Sequence, residues 1–212
     1  MRTRTAALAL VCVAGALLDA QDPLSRIEQE TANVTPAITQ IRHQLHQNPE
    51  LSNREEKTAA LVADYLKKLG LDVQTGVAKH GVVALLKGGL PGPVVAVRAD
   101  MDALPVTEAT NLPFASKVRT TYLGQETGVM HACGHDIHTA VQLGVASVLT
   151  SMKATLPGTV KFIFQPAEEG PPPGEQGGAS LMVKEGALQN PRPQAIFGLH
   201  AFSEMPVGEI GY

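Results

Sequence analysis

The chain has 212 residues, of which 44% are hydrophobic, 17% charged and 4% aromatic, with a net charge of −3. This balance supports a sizeable buried core and excludes a disordered chain. The weak acidity argues against broad binding to nucleic acid or to an anionic membrane, both of which need a basic face. With only two cysteines, a disulfide scaffold is excluded.

Residues 1–20 read as a targeting segment. Arg2 and Arg4 give a positive start, residues 6–18 form an uncharged apolar run, and Asp19, Asp22 and Pro23 end it. This pattern predicts a secretory signal peptide and an exported protein, periplasmic or extracellular. Cleavage after Ala16 best fits the small-x-small rule, with Ala20 the second option. The run falls short of the roughly 20 apolar residues of a comfortable membrane span, leaving an uncleaved anchor as the alternative. Val11 before Cys12 argues against a lipid-modified cysteine. After cleavage Cys133 is the only cysteine left.

Residues 24–47 read as a helix that can bend at Pro36, and Asn48-Pro49 ends it. Residues 54–69 form a stronger helix, with Val62, Tyr65, Leu66 and Leu69 on one face and Glu55, Glu56, Lys57 and Asp64 elsewhere. Gly70 is its stop. Residues 71–76, 82–87 and 93–98 read as strands, with residues 88–93 (GGLPGP) the turn between the last two. The run PVVAVRAD is apolar until Arg98, as in a central strand buried on both faces. Residues 136–151 are a mostly buried helix. Residues 159–164 and 195–199 are strands, residues 178–188 a short helix, and the terminal VGEIGY a further strand start. Interleaved helices and strands predict an α/β fold, helices flanking a mixed, largely parallel sheet.

Chemistry gathers where strands end. Asp100 and Asp102 follow one strand, residues 165–170 (QPAEEG) follow another, His200 follows a third, and residues 131–138 (HACGHDIH) precede a helix. Ligands of open α/β sheets collect outside the carboxyl ends of strands. Cys133 and His135 flank a glycine that permits positive φ, so both side chains can turn to one centre; thiolate and imidazole suit zinc-like metals. Glu168 and Glu169, if extended, point in different directions, so one can ligate a metal while the other serves as base. His43, His46 and His80 are assigned structural roles, because no carboxylate or cysteine cluster joins them in sequence.

The stretches VRADMDALPV (97–106), MHACGHDIHTA (130–140), FIFQPAEEG (162–170), GGASLMVKEGAL (177–188) and GLHAFSEMPVGEIG (198–211) resemble the M20 metallopeptidase family, in its amidohydrolase branch. Residues 41–59 (IRHQLHQNPELSNREEKTA) are similar to that family's N-terminal helix and turn. The resemblance implies a zinc-peptidase-like α/β catalytic domain and hydrolysis of the amide of N-acyl amino acids or short peptides. It implies divalent metal, two ions per site, zinc or manganese, with cobalt or nickel as further options. Cys133, His135, Glu169 and His200 would be the ligands and Glu168 the general base. Asp102 would support the site, with Asp100 and His138 as outer partners. The family's catalytic domain is interrupted by a lid or dimerisation domain and completed by a returning segment that carries another histidine ligand. Since the sequence stops at Tyr212, the resemblance implies that residues 21–212 are the N-terminal part of such a domain, from a parent that forms homodimers. Two other readings stand beside it: a catalytically inactive metal-binding fragment, and a cysteine hydrolase using Cys133 with a nearby histidine.

Overall fold

The computed structural model describes residues 22–212; the expected signal peptide and its cleavage sites lie outside them. Helix α1 (Pro23–Gln47) starts at Asp22, whose carboxylate accepts the Ser25 amide, and runs unbroken through Pro36. Its Asn48 cap returns a backbone N–H to Leu45. Helix α2 (Glu56–Lys68) ends on a left-handed glycine: Gly70 has φ +78°, its N–H reaches Lys67, and the Leu71 N–H reaches Leu66. That pairing satisfies the last carbonyls and tucks Leu66 and Leu71 into one core.

Strands β1 (Asp72–Val77), β2 (Gly81–Lys87), β3 (Leu90–Asp100), β6 (Pro157–Gln165) and β7 (Ala195–Gly198) form one sheet in the order β1-β2-β6-β3-β7. The sheet is evenly mixed, since β1-β2 and β2-β6 are antiparallel and β6-β3 and β3-β7 parallel. Helix α3 (His135–Ser151) links β3 to β6 as a parallel crossover. With α2 it covers one face through Val62, Leu66, Leu143 and Ala146 against Val82, Phe162 and Phe164. The short α4 (Gly178–Lys184) covers part of the other face, with Met182 against Val83, Ala96 and Ile163. Among the described residues no helix is long and apolar enough to cross a membrane.

Three expectations are corrected. The most deeply buried strand is β6, its last six residues all buried; β3 lies beside the exposed edge strand β7 and is only half-buried along Val94–Val97, apart from Ala96. The strands β2 and β3 are not neighbours, because β6 lies between them, and their glycine-rich link steps over the start of β6. A Cβ on Gly88 would sit 2.1 Å from the Leu156 carbonyl, and one on Gly92 2.6 Å from the Gly158 nitrogen, so the crossing requires bare backbone. The terminal VGEIGY forms no strand. A small hairpin lies outside the expected elements: β4 (Arg119–Tyr122) and β5 (Gln125–Gly128), joined through Leu123-Gly124, both at positive φ. Exposure alternates along β4, but its inward residues, Thr120 and Tyr122, are only half-buried, and the run Arg-Thr-Thr-Tyr shows no apolar alternation in sequence.

Candidate active site

Three parallel strands deliver their carboxyl ends to one place. Register aligns Arg98 of β3 with Ile163 of β6 and Gly198 of β7, so Asp100, Asp102, the 166–170 turn and His200 emerge side by side. Gly134, left-handed at φ +84°, caps α3 and turns Cys133 and His135 toward the same point.

His135 is the centre, its side chain only 1% exposed. Its Nδ1 lies 3.2 Å from Asp102 Oδ1. Its Nε2 is buried with no hydrogen-bond partner, 3.6 Å from Glu168 Oε2, 3.7 Å from Glu169 Oε1 and 3.7 Å from Asp100 Oδ1. Asp102 also accepts the Ser52 hydroxyl at 2.6 Å and the Glu169 amide at 3.0 Å. Burial opposes its charge, but these three donors outweigh burial and hold the carboxyl below its usual range. The imidazole shifts the other way: burial opposes its charge, while Asp102 and Asp100 raise its affinity for a proton.

The two glutamates do not diverge as an extended backbone would have made them. Ala167 has φ +48° and Gly170 φ +102°, so residues 167–170 form a turn that brings both carboxylates to His135 Nε2. Arg98 supports them from the flank, its guanidinium bonding Asp100 Oδ2 at 2.6 Å and Gln165 Oε1 at 3.0 Å and lying 3.7 Å from Glu168 Oε1.

Across from the acids, Cys133 Sγ lies 3.6 Å from His200 Nε2. His200 Nδ1 donates to its neighbour's carbonyl, the oxygen of Ala201, at 2.8 Å, which leaves Nε2 as the acceptor facing the Cys133 thiol. His138 has no such freedom: its Nε2 accepts the Ala201 amide at 2.8 Å, so its Nδ1 carries the proton donated to Asp100 at 2.6 Å. Donor atoms of Cys133, His135 and His200 lie within 4.8 Å of one another, as do those of His135, Glu168 and Glu169. The structure therefore brings together Asp102, Cys133, His135, Glu168, Glu169 and His200, with Asp100 and His138 as a satisfied pair behind them.

The surroundings of Cys133 oppose a cysteine nucleophile. Burial, then the neighbouring Glu169, Glu168 and Asp100 carboxylates, push the thiol up to about 11, whereas reactive thiols sit in electropositive sites. The same charge balance fits a divalent cation. A thiol, two imidazole nitrogens with available lone pairs and two carboxylates converge, and the buried Nε2 of His135 faces only acceptors. An imidazole held by a carboxylate on its far nitrogen is the usual arrangement of a metal-ligating histidine.

Further residues of the site carry little signal in the sequence. Ser52, Asn53 and Glu55 were hidden in a charged stretch, and Arg98 gave only the signal of a polar residue closing an apolar run. Glu55, expected on the polar side of α2, is fully buried. His46 does meet carboxylates: Nδ1 lies 2.9 Å from Asp136 and Nε2 3.3 Å from Glu108, with Arg42 on Asp136 at 2.8 Å. These partners are 62 to 94 residues apart in sequence, which is why spacing could not find them. His43 stacks on Phe114 at 3.8 Å between ring centres. His131 is buried with neither ring nitrogen bonded, and burial pushes it down to about 4. A cavity of about 650 Å³ opens beside Cys133 and His200, bordered by Arg42, Met130, Ile137 and Phe202.

The chain is similar to several known proteins. The chain is 43% identical over 188 residues to thermostable carboxypeptidase 2 of Saccharolobus solfataricus, covering 88% of this chain and 44% of that protein. It is 45% identical over 175 residues to an N-acetylcysteine deacetylase of Bacillus subtilis, covering 82% and 42% respectively. The crystal structure of Bacillus subtilis YXEP protein, described as a dinuclear metal-binding peptidase of the M20 family, superposes with a TM-score of 0.70 at 42% identity, over 85% of this chain and 45% of that one. The chain thus spans less than half the length of these relatives. Residues 96–212 match the family described as peptidase family M20/M25/M40, and the chain belongs to that family.

Proposed function

We propose that this chain carries the metal-holding and proton-transferring part of an amidohydrolase that cleaves the amide of N-acyl amino acids or short peptides. The observation that carries the reading is His135 Nε2, buried and unpaired, facing Glu168 and Glu169 while Cys133 and His200 converge beside it. Cys133, His135, Glu169 and His200 would hold the metal. A divalent ion bound there supplies Lewis acidity, which polarises a carbonyl and acidifies water.

The chain's own residues do the rest. Asp102 fixes the His135 ring through Nδ1 and holds the Glu169 amide, so one carboxylate ties two donors together. Glu168, its side chain 35% exposed, is accessible to substrate and water, and its carboxylate would take a proton from water and return it to the leaving amine. The adjoining cavity has room for a small acyl group or side chain. The relatives' names, a deacetylase and a carboxypeptidase, support amide cleavage on small substrates. Export directed by residues 1–20 and pairing of the complete polypeptide into dimers belong to the same reading.

A panel of N-acyl amino acids, assayed with zinc, manganese or cobalt, tests the proposal on the native polypeptide. Release of free amino acid should be abolished by a chelator and restored by added metal. Turnover that persists undiminished after complete chelation would overturn the metal mechanism.

A further inference from the structure

The loop between α1 and α2 grips both strand-end segments of the site. The Ala103 N–H donates to the Glu50 carbonyl at 2.8 Å, and Leu51 bridges Ala103. Ser52 Oγ donates to Asp102 at 2.6 Å. Asn53 Nδ2 donates to Glu175 at 2.9 Å and to the Gln176 carbonyl at 3.1 Å, pinning the far end of the acidic turn's loop. Glu55 Oε1 accepts the Ala167 N–H at 2.7 Å.

Glu55 is the unusual member. It occupies the N-cap of α2, and its carbonyl accepts the Ala59 N–H at 2.8 Å, yet its side chain makes no capping bond to that helix. Glu50 caps the helix instead, accepting the Lys57 and Thr58 amides at 3.1 and 2.8 Å. Glu55 is 0% exposed, and its Oε2 has no hydrogen-bond partner. Burying a carboxylate this way costs free energy, and helix capping does not account for the cost. What the side chain does is hold the amide of Ala167, a non-glycine residue at φ +48°, immediately before the two acids. Such strained backbone persists only where its surroundings enforce it.

We propose that Glu55 is a positioning residue: by holding the Ala167 amide it locks the 167–170 turn in the conformation that aims Glu168 and Glu169 at His135. It acts through the backbone of that turn. The metal consequence rests on the proposed function; the locking of the turn does not.

The test compares Glu55→Ala, Glu55→Asp and Glu55→Gln with the parent chain by amide hydrogen exchange without metal and by zinc titration. In Glu55→Ala the amides of residues 167–170 should exchange at least about tenfold faster while those of β6 stay protected. Zinc affinity should fall about 10–100-fold, the usual effect of losing a group that orients ligands. The shorter Glu55→Asp should loosen the turn in the same way, so the question is answered even if the alanine variant fails to fold. In Glu55→Gln the amide oxygen still accepts the Ala167 N–H, and both readouts should stay within about threefold of the parent by the same reasoning. Unchanged exchange at residues 167–170 in Glu55→Asp, or loosening spread equally through β6, would overturn the proposal. A parent chain that binds no zinc would instead refute the metal reading, while the exchange data would still decide the role of Glu55.

Discussion

Replacing Glu168 with glutamine should lower turnover by about 10²–10⁴-fold while fold and metal content stay intact, the range general-base catalysis typically supplies. The amide keeps the shape of the carboxylate and removes its ability to take a proton. Stability should barely move. The contacts weakened are the 3.7 Å approach to Arg98 and the 3.6 Å approach to His135, both from a side chain 35% exposed, and pairs this open to solvent contribute about 0–1 kcal/mol each. A hundredfold or greater loss of rate is about 2.7 kcal/mol or more of barrier, so catalysis and stability separate cleanly. Steady-state kinetics on an N-acyl amino acid, together with a denaturant melt, make the measurement. A variant that hydrolyses at close to the parent rate removes Glu168 from the base role.

The second large effect should come from His135→Ala, which we expect to abolish stoichiometric metal binding. His135 belongs to every group of donors the site contains, with Cys133 and His200 on one side and Glu168 and Glu169 on the other. Its loss opens the centre of the set and leaves four carboxyl groups without the imidazole they face. His138→Ala is the informative control. Both nitrogens of that ring are committed, to Asp100 and to the Ala201 amide, so its removal should loosen the support of His200 and weaken binding about 10–100-fold without abolishing it. Titration of both variants with zinc distinguishes the cases. Full-affinity binding by His135→Ala would show that the metal is held elsewhere.

Much of this site is legible in the sequence because Asp102, Glu168, Glu169 and His200 follow the ends of three parallel strands, and topology forces such ends together. The strands themselves are marked by apolar β-branched runs, and Gly134 marks the turn that aims Cys133 and His135. Strand order was not legible. That β6 inserts between β2 and β3 is recorded only in the glycines of residues 88–92, which read equally well as an ordinary turn until the backbone they cross is seen. The direction of Glu168 and Glu169 depends on positive φ at Ala167, a residue that carries no sequence signal for it. Glu55 was hidden for a related reason. A glutamate within a charged run resembles the solvated start of a helix, and only the fold brings the Ala167 amide, 112 residues away, to its carboxylate.

In the proposed function, Cys133, His135, Glu169 and His200 would hold divalent metal beside Glu168. The most direct measurement is the absorption spectrum of the chain loaded with cobalt(II), which reports thiolate ligation as a charge-transfer band in the near ultraviolet. The parent chain should take up cobalt stoichiometrically and show that band. The band should vanish in Cys133→Ser and persist in Glu168→Gln. Failure to take up cobalt, or a thiolate band that survives Cys133→Ser, would contradict it.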